Sequence, residues 1–175
     1  MKNIVMIMLV LFIGLSVYSQ SEGKTGRQLP SIDLRTAGGE PFNTADISND
    51  GKPVILSFWA LWCKPCIKEL NTIADEYYDW QEETGVKLIA VSIDDSRSSS
   101  KVKPFADGND WDYEILLDEN GDFKRAMNVN MIPHTFILDG DGNIVWQHTS
   151  FSEGGELQLI DNVRKVAAGQ KIDEH

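Results

Sequence analysis

Cys63 and Cys66 are the only cysteines in this chain, and two residues separate them. A sulfur pair at this spacing can close and reopen a disulfide, which is the chemistry of thiol–disulfide exchange. An apolar run, residues 53–60 (PVILSFWA), leads into the pair. Ile67, Leu70, Ile73, Ala74 and Tyr77 follow it at spacings of three and four. A buried strand therefore ends in a short turn, and a helix begins at or just after Cys63. Sulfurs placed there meet unpaired backbone N–H groups at the positive end of the helix dipole, which stabilises a thiolate. Lys64 adds a positive charge, and Pro65 suits a first helical turn, where a missing N–H costs nothing. Cys63, nearer the surface, is the expected nucleophile, and Cys66, one turn in, the resolving thiol. A structural bridge is the alternative. Closing two intervening residues removes little loop entropy, however, so the spacing favours a reactive pair.

The elements that must hold this pair can be followed along the chain. Residues 29–35 alternate weakly, with Ile32 and Leu34 as inward positions of an edge strand, and residues 44–48 suit one helical turn. The helix after the cysteines runs to about Glu83 and stops at Thr84-Gly85. Residues 86–93 are apolar and β-branched, a central strand parallel to the first because a helix crosses between them. A short helix over 101–107, a strand over 113–118 and a short helix over 122–127 come next. Residues 135–139 and 144–148 flank Gly140-Asp141-Gly142-Asn143 as a hairpin, and an amphipathic helix closes the chain before Gly169. The order of elements predicts an α/β fold with a mixed central sheet flanked by helices.

The ends and the charge set the setting. Lys2 precedes an apolar run of about fourteen residues, shorter than the ~18–20 that span a bilayer, and Ser19, Gln20 and Ser21 follow it. Residues 1–19 thus read as a secretory signal peptide, with an uncleaved anchor as the alternative. Residues 20–28 read as a linker, 29–169 as one domain and 170–175 as a tail. The formal net charge is -11. That balance argues against nucleic acid and against anionic lipid surfaces. Contact with a membrane is expected only if the first segment stays attached.

Trp62-Cys63-Lys64-Pro65-Cys66 after an apolar strand resembles the active site of the thioredoxin superfamily. Ile132-Pro133-His134-Thr135-Phe136 resembles that family's cis-proline loop running into its hairpin. With the leading segment and Ser92-Ile93-Asp94-Asp95, the chain is most similar to the exported TlpA/ResA-like thiol-disulfide oxidoreductases. The resemblance implies a thioredoxin-like fold with an N-terminal strand extension and an insertion after the second core strand. It implies that Pro133 is the cis-proline beside the cysteines, that Ile132 and Trp62 border the substrate, and that Glu69 handles a proton or tunes the pair. Read from the residues alone, Glu69 is equally well an exposed helix glutamate. Trp59 reads as core. Cytosolic thioredoxins carry an acid where this chain has Ser57, which a serine cannot replace as a proton acceptor.

Other signals are weaker. Asp139-x-Asp141-x-Asn143 begins like a calcium loop, but its twelfth position is Ser150 rather than Glu. A peroxidase would place one low-pKa cysteine without a second one turn later. The expectation is therefore an exported enzyme that exchanges its dithiol with envelope proteins bearing disulfides or thiols, in the reducing direction. It would need no organic cofactor and no metal, and would draw electrons from an upstream thiol donor. A disulfide-forming oxidase and a thioredoxin-fold module that binds a metal or partner are the alternatives.

Overall fold

A computed structural model describes residues 26–172 of the chain. The segment 1–19 and the end of the 170–175 tail lie outside the described residues. Among the described residues, β1 (Arg27–Gln28), β2 (Asp33–Thr36), β3 (Pro41–Asn43), β4 (Val54–Trp59), β5 (Lys87–Ser92), β6 (Glu114–Leu117), β7 (His134–Leu138) and β8 (Asn143–Thr149) form a single sheet in the order β1-β8-β7-β4-β5-β6-β2-β3. Its centre is β4 (Val54–Trp59), the apolar run that leads to the cysteines. On one side β4 pairs in parallel with β5 (Lys87–Ser92), and β5 in parallel with β6 (Glu114–Leu117). On the other side β4 pairs antiparallel with β7 (His134–Leu138), which forms a hairpin with β8 (Asn143–Thr149). The sheet is mixed because α1 (Lys64–Thr84) carries the chain across from β4 to β5, whereas a tight turn joins β7 to β8. At the far end of α1, Gly85 takes the left-handed conformation (φ 68°) and its N–H bonds the Gln81 carbonyl, ending the helix.

Alternation along the strands sorts the apolar side chains into two cores. Ile55 and Trp59 of β4 join Leu70, Ile73, Tyr77 and Trp80 of α1 on one face. Val102 and Ala106 of α2 (Val102–Gly108) and Leu159, Ile160 and Val163 of α4 (Gly155–Ala167) complete that cluster. Val54, Leu56 and Phe58 point to the opposite face, with Phe136 of β7 and Phe123 of α3 (Asp122–Ala126). Both cores are apolar, so strands β4, β5 and β7 are buried on both sides.

Two expectations need correction at the sheet's ends. β2 (Asp33–Thr36) is not an edge strand: it pairs with β6, and β3 (Pro41–Asn43) pairs outside it. The 20–28 stretch is not all linker either, because Arg27 and Gln28 form β1, which pairs antiparallel with Ile144 and Asn143 of β8. Strands of two and three residues are too short to carry an alternation, so only their partners' unpaired backbone groups specify them.

Candidate active site

The two cysteines sit where β4 delivers the chain to α1. Leu61 and Trp62 make the turn, Cys63 is the N-cap residue of α1, and Pro65 lies in its first turn. Cys63 and Cys66 are joined as a disulfide with their Cα atoms 5.3 Å apart. Cys63 Sγ accepts the Cys66 backbone N–H at 3.3 Å, and the Cys63 carbonyl accepts that of Ile67 at 3.1 Å. The Cys63 sulfur thus serves as the helix cap, where partial positive charge favours a thiolate. Cys63 is 5% exposed and Cys66 is fully buried. Of the two, Cys63 is the less buried. The turn ahead of it is pinned by Asp94, whose Oδ2 accepts the Leu61 N–H at 2.9 Å and the Ser92 hydroxyl at 2.9 Å.

Beneath the pair lies Glu69, three residues after Cys66 and on the same side of α1. It is buried at 5% exposure, so the exposed-helix alternative does not describe it. The sheet register explains what it meets. Ser57 of β4 is paired directly with Thr135 of β7, and both point to the α1 face with Ile55, Trp59 and Ile137. Glu69 Oε1 accepts the Thr135 hydroxyl at 2.6 Å and the Ser57 hydroxyl at 3.3 Å. Burial pushes the Glu69 carboxyl above its ordinary range, and the hydrogen bonds from Thr135 and then Ser57 partly oppose that. Ser57 supplies no proton acceptor of its own; it holds the residue that can.

The loop before β7 arrives at the end of β4 that leads to the cysteines, since His134 pairs with Phe58. The Ile132–Pro133 peptide bond is cis. Pro133 is buried and Ile132 half-buried, packing against both cores. Trp62 (68% exposed) and Met131 (62%) are two of the four large apolar side chains left exposed among the described residues. His134 points to the opposite face of the sheet from Thr135. It stacks on Phe136 at 4.5 Å, and burial holds its imidazole below the usual histidine range. Trp59 is fully buried, edge-on to Trp111 at 4.9 Å.

Residues 25–147 match the AhpC/TSA family. The chain belongs to the AhpC/TSA family. Among its relatives, the thioredoxin-like protein YneN of Bacillus subtilis (strain 168) is 35% identical over 164 residues, covering 90% of this chain and 94% of that one. The thiol-disulfide oxidoreductase ResA of Bacillus thuringiensis subsp. konkukian (strain 97-27) is 28% identical over 170 residues, covering 94% of each. The solution structure of a thioredoxin-like protein from Porphyromonas gingivalis is 54% identical, with a TM-score of 0.74 over 86% of this chain and 99% of that one. The fold is thioredoxin-like, and this AhpC/TSA-family member is a dithiol oxidoreductase working through Cys63 and Cys66.

Two residues of the site and one in the loop before Pro133 escape a reading of the sequence. Thr135 reads there only as a strand residue, although strand alternation places it with Ile137 on the α1 face. Asp94 reads as the end of a strand. Met131 carries no local signal, since its exposure depends on how the loop around Pro133 folds. Among the described residues, no three His, Cys, Asp or Glu side chains converge on a metal-sized site.

Proposed function

We propose that this oxidoreductase is exported and reduces disulfides in proteins of the cell envelope. The reading rests on one observation above the others: a buried acid, Glu69, one turn below Cys66. A carboxyl there disfavours thiolate on the neighbouring sulfur. Strong oxidants of this chemistry are strong because their reduced, thiolate form is stabilised, so an acid beside the pair works in the reducing direction. The relatives named thiol-disulfide oxidoreductase ResA support thiol–disulfide exchange as the reaction. Export is supported by Lys2 and the apolar run within residues 1–19.

In this reading Cys63 thiolate attacks a substrate disulfide, and one substrate sulfur leaves with the electron pair. Cys66 then gives its proton to Glu69 and attacks Cys63 Sγ, so the second substrate sulfur leaves and the Cys63–Cys66 bond re-forms. Pro133 and the Ile132 backbone receive the substrate's extended chain, with Trp62 and Met131 as apolar borders. An upstream thiol donor restores the dithiol.

Equilibration with dithiothreitol or glutathione buffers measures the potential that tests this. A value below about −200 mV, toward thioredoxin, is expected, and one above about −150 mV, toward the strong oxidants, establishes the oxidase instead. Expression of Cys66→Ser in cells should trap envelope proteins on Cys63. Recovery of cytosolic partners alone defeats the assignment to the envelope.

A further inference from the structure

Glu69 has to exchange its proton with solvent once per catalytic cycle if it takes the proton of Cys66, and the inference below rests on that reading. A substrate seated on Cys63 and Pro133 covers the cysteine side of the site. Behind Glu69, away from the cysteines, lies a small cavity of about 20 Å³ between α1, β7, β8 and α4. Glu69 and Thr135 line it from within, Trp146 and Leu159 form apolar wall, and His148 and Glu156 line it from β8 and α4. Its volume suits one water molecule, for which ~10–15 Å³ is the lower limit. Such a water also needs polar partners, and they are present. Both hydrogen bonds to Glu69 from the sheet fall on Oε1, which leaves Oε2 for another partner. Glu156 Oε2 is buried and has no hydrogen-bond partner among the described residues. An orphaned buried carboxylate oxygen costs free energy unless something donates to it.

We propose that a single water in this cavity links Glu69 to Glu156, and that Glu156 is the positioning residue through which the proton of Cys66 reaches solvent on the α4 side. When Cys66 resolves the mixed disulfide, its S–H proton passes to the Glu69 carboxylate. The Cys66 sulfur bonds Cys63 Sγ, and the substrate sulfur leaves with the electron pair. Glu69 then returns its proton to the water, and the water passes one to Glu156 and on to bulk solvent. No further oxidant or reductant takes part. The proton leaves at the back while the substrate leaves at the front.

The groups facing this route come from every side. Ser57 and Thr135 face Glu69 from β4 and β7, and Tyr113 faces it from the segment before β6. His148, stacked on Trp146 at 5.7 Å, stands across the cavity from β8. Lys68, next to Glu69 in sequence, is paired with Glu153, two residues ahead of α4.

The test compares Glu156→Gln, Glu156→Asp and Glu69→Gln with the wild type. Insulin reduction driven by dithiothreitol is followed from pH 5.5 to 8.5, in H₂O and in D₂O. Glu156→Gln keeps the shape but not the proton acceptor. It should lower kcat about tenfold with KM unchanged, less than the ~100-fold or greater loss that removal of a general base brings. Its solvent isotope effect should rise, and Glu156→Asp should recover most of the rate. A Glu156→Gln rate within twofold of wild type at every pH overturns the proposal. An equal loss in Glu156→Gln and Glu156→Asp, with no change in pH profile or isotope effect, also overturns it, because only packing would then be at stake. If Glu69→Gln is slowed while Glu156→Gln is not, the route through Glu156 falls and Glu69 keeps its role. If neither is slowed, the role of Glu69 falls as well.

Discussion

Replacing Glu69 by Gln should change how the oxidised protein's stability depends on pH, and the slope can be worked out in advance. The carboxyl is buried, and burial raises its pKa in the folded chain above the ordinary 4.5. Between 4.5 and the raised value, the unfolded chain has lost this proton while the folded chain keeps it. Folding then binds one proton, so stability falls by about 1.4 kcal/mol for each pH unit across that window and levels off above it. The stability that Glu69 allows is fully present below pH 4.5 and is lost as pH rises through the folded pKa. Glutamine does not ionise, yet its carbonyl oxygen can still accept the Thr135 hydroxyl, so Glu69→Gln keeps the contacts and removes the titration. His134 works in the opposite sense. Burial lowers its pKa, so its contribution is present above 6.5 and is lost as pH falls. The quantity to measure is therefore the difference between variant and wild type, in which His134 cancels. Urea unfolding of the disulfide-bonded protein, in half-unit steps from pH 4.5 to 8, keeps both cysteines out of the titration. Glu69→Gln should gain on the wild type by about 1.4 kcal/mol per unit just above pH 4.5 and then hold a constant advantage. A difference that stays flat over the whole range refutes the claim that this acid is buried at a cost.

Thr135→Val removes the 2.6 Å donor to Glu69 and should cost about 1–3 kcal/mol in the same unfolding assay, because a buried acceptor then loses its shortest hydrogen bond. Trp62→Ala should leave stability within about 0.5 kcal/mol, because the ring is 68% exposed. Its kcat/KM for insulin should nevertheless fall about tenfold, with reduction by dithiothreitol unchanged; an unaltered insulin rate removes Trp62 from the substrate surface. Gly140→Ala would place a Cβ 2.1 Å from the Gly51 carbonyl oxygen, so backbone must move, at a cost of about 3 kcal/mol in thermal or urea unfolding. Gly108→Ala, at the end of α2 with no heavy atom within 4 Å of the added Cβ, should gain about 0.5 kcal/mol; a loss there refutes a helical backbone at Gly108.

What the sequence disclosed and what it withheld follow from the range of the interactions. The cysteine pair, its helix and the β7–β8 hairpin are written in neighbouring residues, where helical and strand periods act directly. Glu69 is also half-written. Cys66, Glu69, Leu70, Ile73, Tyr77 and Trp80 fall at one face of α1, so the acid interrupts an apolar stripe, which is a signal of burial. Its partners are not written there. Ser57 and Thr135 lie 78 positions apart and meet only because β7 pairs with β4 in that register, where a slip of one residue would bring His134 to Glu69 instead. The strands β1 and β3 are illegible for a related reason, since each exists only as the complement of an edge already built.

The cap at Cys63 has a consequence for the helix itself. The same sulfur that exchanges electrons also holds the Cys66 amide at the first turn of α1. In the disulfide it is a neutral, weak acceptor; as a thiolate it is an anion at the positive end of a 21-residue helix. Gaining electrons should therefore tighten the helix start, and losing them should slacken it. The opening turn of α1 becomes a gauge of the oxidation state, readable from one backbone amide. A partner that touched only that turn could tell a charged enzyme from a spent one without touching either sulfur.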